Sequence, residues 1–173
     1  MKVPALLVCA TSFASAHAAE LTPEETKELM AGVKMVEAAF EKKDVPGMVE
    51  HTHPAIHKLL GGKEAFAKVT EQAMAQIAQQ EIRVLDNQYG PPSKVHLSGT
   101  DRICFIPRTN VMHIKDMKIK STGFLIAIRS EGQPWKFLDG AALRQNPELL
   151  KTLFPGLPDD VEQPENRMEP ITD

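Results

Sequence analysis

Apolar positions recur at helical spacing up to about residue 80 and alternate with polar ones beyond it, which divides the chain into a helical half and a strand half. Thr22-Pro23-Glu24-Glu25 predicts a helix start. Thr22 can cap free N–H groups, Pro23 suits the first helical position, and Glu25 completes a capping box. Leu29, Val33, Val36 and Phe40 follow as one apolar stripe before Lys42-Lys43-Asp44 closes the helix. A short second helical turn is expected over 45–50. Pro54 restrains His53 to an extended or turn conformation, and 56–60 reads as a short strand. After Gly61-Gly62 a second long helix is predicted over 63–80, with Phe66, Val69, Ala73 and Ile77 facing a core.

From Ile82 the period becomes two, and Gly/Pro clusters cut the chain at Gly90-Pro91-Pro92, Ser98-Gly99 and Gly132-Gln133-Pro134. Strands are predicted near 82–89, 102–113, 117–130 and 136–139, with Pro107 at a bulge or an edge. A last short helix is expected over 147–153. The order predicts an α+β fold with N-terminal helices packed on a curved antiparallel sheet. Parity adds a constraint: Phe124, Ile126 and Ile128 share one face, while Leu125, Ala127 and Arg129 share the other. Ile103 and Phe105 likewise oppose Arg102, Cys104 and Ile106. The face bearing the arginines is therefore also apolar, and is expected to make a dimer contact or to lie under the chain's own terminal segment.

Composition changes the picture at both ends. Residues 1–19 read as a signal peptide, with Lys2, a weakly apolar stretch to Ala16, and the box Ala16-His17-Ala18. Thr11, Ser12, Ser15 and His17 interrupt that stretch, so no membrane span is expected after cleavage. Removal would leave Cys104 as the one cysteine, inside the apolar run Ile103-Cys104-Phe105-Ile106, where it reads as a small buried hydrophobe. Residues 155–173 hold four prolines, six acids and one base, and are expected to form an extended or disordered acidic tail. The body, 20–154, then carries 18 basic and 17 acidic residues. That balance gives no electrostatic footprint for nucleic acid.

The order of helix, short helix, Gly-Gly, long helix and long antiparallel strands resembles the nuclear transport factor 2-like superfamily, which includes polyketide-cyclase-like and ketosteroid-isomerase-like proteins. The run Thr52-His53-Pro54 through Gly61-Gly62-Lys63-Glu64-Ala65-Phe66, with Trp135-Lys136-Phe137-Leu138-Asp139, is similar to exported members without an assigned activity. The resemblance implies a cone-shaped α+β half-barrel (a cystatin-like roll), an apolar cavity between helices and sheet, and dimers through the sheet. None of the family's catalytic positions carries over, because no matching motif is present.

Asp139 shares a strand face with Trp135 and Phe137, so it reads either as a general base or ligand grip in a pocket, or as the turn-forming end of its strand. Tyr89 ends a strand and could direct its hydroxyl into a cone mouth or rest in the rim. His51, His53 and His57 form the histidine cluster, but without the cysteines or spaced carboxylates of a zinc site they read as structural; no metal or other cofactor is expected. Lys115 to Lys120 reads as a solvated hairpin end. No phosphate loop, nucleophile elbow or Cys-x-x-Cys occurs. The resulting expectation is a periplasmic or secreted non-catalytic binding module for a small apolar ligand or a protein partner. The alternatives are a small cofactor-independent enzyme of isomerase, cyclase or dehydratase type, and a structural envelope dimer with a filled cone.

Overall fold

A computed structural model describes residues 19–171, so the expected leader lies almost wholly outside the described residues. The helical half comprises α1 (Pro23–Glu41), α2 (Val45–His51), α3 (Pro54–Leu59) and α4 (Lys63–Gln79). The strand half comprises β1 (Arg83–Tyr89), β2 (His96–Ser98), β3 (Asp101–Ile114), β4 (Met117–Arg129) and β5 (Lys136–Asp139). A 3-10 turn (Gly140–Arg144), α5 (Leu149–Leu153) and β6 (Arg167–Pro170) complete the chain. The fold is α+β with an antiparallel sheet, as the change of period predicts.

Local chemistry explains the helix starts. Thr22 and Glu25 form both halves of the capping box, Glu25 N–H donating to Thr22 Oγ1 at 3.1 Å and Thr22 N–H to Glu25 Oε2 at 3.0 Å. Asp44 caps α2 by accepting from Gly47 N–H at 3.1 Å. Residues 56–60, expected as a strand, belong mainly to α3 instead. Pro54 occupies the first turn of that helix, where its missing N–H costs nothing, and His53 caps it by accepting from Ala55 N–H at Nδ1, 3.3 Å away. The proline is a helix starter here.

The long β3–β4 hairpin pairs 13 residues on each strand without a register shift, and the sheet order is β1-β3-β4-β5. β2 continues along the β3 edge after β1 ends, and β6 shares the β4 edge with β5. Pro107 causes no bulge against β4. It lies where β1 has ended and β2 has not begun, so no partner strand needs its N–H, while its carbonyl accepts from Gly90 N–H at 2.8 Å. The bulge is in β1, between Val84 and Asp86.

Over the middle of the sheet, 103–106 of β3 and 124–128 of β4, both faces are covered by the chain itself. The face bearing Arg102 and Arg129, expected to be outer, lies under α1: Leu29 and Val33 pack with Cys104, Ile106, Leu125, Ala127, Trp135 and Phe137. That burial leaves no free apolar face there for the expected homodimer contact. Arg102 pairs with Glu25 and Arg129 with Glu28, so α1 also neutralises the two arginines. The opposite face, with Ile103, Phe105, Phe124, Ile126 and Ile128, is covered by α3 and by the C-terminal segment through Leu143, Leu150, Phe154 and Leu157. The terminal segment does cover a sheet face, but the other one. Within α1, Phe40 of the predicted stripe is 39% exposed, and Gly32 is buried instead because a Cβ there would stand 2.8 Å from the Phe137 ring.

The α4 stripe does not face the core as predicted. Val69 is 47% exposed and Ala73 is exposed, while Met74 is the buried residue and Phe66 packs at the core's margin. This helix lies chiefly against α2 and α3. The acidic tail is extended, as expected, and it is also paired: β6 runs antiparallel to 119–122 of β4, and Lys120 reaches Glu169 at 3.8 Å.

Gly140 lets the chain turn beside the sheet, since a Cβ there would stand 2.7 Å from both the Phe124 ring and its carbonyl oxygen. Backbone cannot yield as a side chain can. Gly140→Ala is expected to cost about 2–3 kcal/mol, measured as a lower urea midpoint with an unchanged slope.

Candidate functional site

On the α1 face the apolar positions of β3, Cys104 and Ile106, give way to Arg108 and then Asn110. Their partners in β1 are Tyr89, opposite Arg108, and Asn87, opposite Asn110. The bond from Gly90 N–H to the Pro107 carbonyl marks a hydrogen-bonded pair, so alternation makes both of these the close, non-hydrogen-bonded kind. Their side chains therefore stand about 5 Å apart at Cβ on one face. Glu37 descends from α1 onto the group, and Asp139 enters from the end of β5.

Arg108 is the hub. Its Nη2 donates to both oxygens of Asp139, at 2.9 and 3.2 Å. Burial opposes the guanidinium charge, but the Asp139 carboxylate and the Tyr89 hydroxyl outweigh it and push the pKa above its ordinary value. Asp139 Oδ1 also accepts from Ala141 N–H at 2.8 Å, so the residue caps the 3-10 turn as well as holding Arg108. Asn87 Nδ2 donates to Glu37 Oε1 at 2.6 Å and to the Tyr89 hydroxyl at 3.0 Å. Burial pushes the Tyr89 pKa up, only partly offset by Asn87 and Arg108, and keeps the phenol protonated. Nearby, Arg144 donates to Ser121 Oγ at 2.9 Å and to Asn166 Oδ1, tying the C-terminal segment to β4.

Tyr89 and Asp139 are thus brought together through Arg108. Trp135 and Phe137 are not part of this cluster: they are 4% and 3% exposed and belong to the apolar layer under α1, Trp135 at the Arg129 end of the sheet. The Arg129 guanidinium lies 5.6 Å from the Trp135 ring. Sequence reasoning missed Glu37, Asn87, Arg108 and Asn110. The available signal was parity: two polar residues continue a strand face whose earlier positions are apolar.

The histidines fall elsewhere. His53 and His57 are buried on the other side of the sheet, against Phe154 and Phe66 respectively. Among the described residues no three His, Cys, Asp or Glu side chains are placed to hold a metal ion. Cys104 is fully buried, and burial pushes its thiol up to about 12. Lys115 and Asp116 sit in the tight turn between β3 and β4.

A second feature is an open groove of about 720 Å³ between the start of α1 and the turns after β2 and β4. The Glu25–Arg102 and Glu28–Arg129 pairs form its floor, with Glu24 and Glu131 at the sides. Arg102 and the Thr22 N–H hold the Glu25 carboxyl down at about 2. Its arginines are already neutralised, and the groove presents an acidic rim.

The cluster can be tested through its tyrosine, the only one in the chain. An ultraviolet titration is expected to place its ionisation above the ordinary 10, and Arg108→Met should raise it further because a nearby positive charge is lost. The same variant is expected to cost about 1 kcal/mol, since the half-buried Tyr89 hydroxyl and the exposed Asp139 carboxylate lose their shared partner. No protein-family model, curated protein or solved structure matches the chain.

Proposed function

We propose that this chain is an exported, non-catalytic binding module that takes a protein partner on its surface. The observation that supports this most is the closure of both faces of the central sheet by buried side chains of the chain's own helices and C-terminal segment. A small apolar ligand would have to displace that core. The carboxylate best placed for catalysis is tied to Arg108 and to a backbone N–H, which suits a positioning role better than proton abstraction. Apolar residues remain exposed outside the core, among them Leu59 at 51% and Leu60 at 41% at the end of α3 and Val69 on α4. The fold order also fits the nuclear transport factor 2-like resemblance, whose exported members include chains with no assigned activity. A leader removed near Ala19 would place the domain in the periplasm or outside the cell.

Native mass spectrometry of the protein taken from its own envelope tests the reading. The expected spectrum contains a complex with another protein and no stoichiometric apolar molecule. An apolar ligand retained one to one would overturn it. A second reading, a small cofactor-independent enzyme, is favoured by one observation: the Tyr89 hydroxyl and the Asp139 carboxylate meet at Arg108.

A further inference from the structure

The polar cluster is satisfied around Arg108 and short of donors at its two asparagines. Asn87 Oδ1 and Asn110 Oδ1 are buried without a hydrogen-bond donor, and Asn110 as a whole is 9% exposed. These residues face each other across the β1–β3 ladder as a close pair. Asn87 cannot be turned over to relieve the shortage. Its Nδ2 is held by the Glu37 carboxylate at 2.6 Å, and reversal would set oxygen against oxygen. Ser121, the β4 partner of Asn110, is bonded to Arg144 instead. Glu37 enters no ion pair among the described residues, whereas Arg108 is neutralised by Asp139. On this face three acceptors therefore remain: the two amide oxygens and the second oxygen of Glu37. Buried acceptors without donors are costly, and here they gather beside the Glu37 carboxylate, while the Arg144 guanidinium is spent on Ser121 and Asn166.

We propose that Asn87, Asn110 and Glu37 form a binding site for a small primary ammonium group. An ammonium carries three N–H donors, one for each acceptor, and a positive charge for the carboxylate. A neutral alcohol supplies one donor and no charge. Val36 next to Glu37 and Tyr89 bonded to Asn87 both pack on the apolar layer under α1, so an alkyl amine suits the site better than ammonium ion alone. The inference goes beyond the partner-binding reading and does not depend on it.

The test is a titration of the isotope-labelled full chain with n-butylammonium chloride, followed by the side-chain amide resonances of Asn87 and Asn110. Sodium chloride at equal ionic strength and n-butanol serve as controls. Saturable shifts at both amides are expected with the amine, with at least about tenfold weaker binding of the alcohol. Glu37→Gln keeps an acceptor for Asn87 but removes the charge, and should weaken amine binding about tenfold. Asn110→Leu should abolish the response, provided its spectrum stays dispersed; Glu37→Gln carries the test if it does not. No saturable shift, or equal responses to amine, alcohol and the Glu37→Gln variant, would overturn the proposal and leave water or an amide-to-amide bond in the site.

Discussion

Ile126→Asp and Ala127→Asp are each expected to unfold the protein at 25 °C, although the two residues are neighbours on β4 and point to opposite sides of the sheet. Ile126 is fully buried under the C-terminal segment, and Ala127 is fully buried under α1. A sheet with one solvated face would tolerate one of the two substitutions. Here either carboxylate enters an apolar layer without a partner, a loss of about 4–5 kcal/mol or more against a total stability of roughly 5–15 kcal/mol. Circular dichroism and the urea midpoint read the result directly. A cooperative, near-native transition in either variant would show that one face is open.

Acid should loosen the C-terminal face before it disturbs the α1 face. His53 and His57 are buried, and burial pushes both below the ordinary 6.5. Among the charged groups acting on them, Asp101 favours the charged form of His53 and His57 opposes it, while Lys63 and Lys136 oppose the charge on His57 and Glu50 favours it. The unfolded chain then binds more protons than the folded one below about pH 6.5, so stability is full above that pH and falls as pH drops toward the folded values. Protonation has structural consequences as well. His53 would lose the Nδ1 lone pair that caps α3, and both buried nitrogens of His57 are without partners. The melting temperature is expected to fall between pH 7.5 and 5, and His57→Phe should flatten that fall by removing one titrating ring while keeping its contact with Phe66. The Glu25–Arg102 pair on the α1 face stays intact over this range. Its depressed carboxyl contributes stability above the ordinary 4.5 that is lost only as pH falls toward 2. A melting temperature independent of pH from 7.5 to 5 would sink the assignment.

Much of the fold was legible because its causes are local. Thr22 and Glu25 cap α1 by contacts three residues apart, and β5 occupies the predicted 136–139 because alternation and the Gly/Pro turn before it are both short-range. The site was half legible. Asp139 and Tyr89 can be picked out as singular residues at strand ends, but their meeting depends on Arg108, which is 19 residues from Tyr89 and 31 from Asp139 in sequence. Only the strand register brings those three together.

Period, capping and charge therefore determined the long helices and the long strands, though not α3, and also that both faces of β4 needed cover. They could not determine what supplies that cover. An apolar strand face is satisfied equally by a helix, a second chain or a terminal segment, because burial has no direction and rewards area alone. Tertiary packing made the choice, placing α1 over the arginine face where Glu25 and Glu28 meet Arg102 and Arg129, and the C-terminal segment over the other. It also left the α4 stripe at the surface, since a helix with the right spacing faces inward only if sheet area remains to receive it.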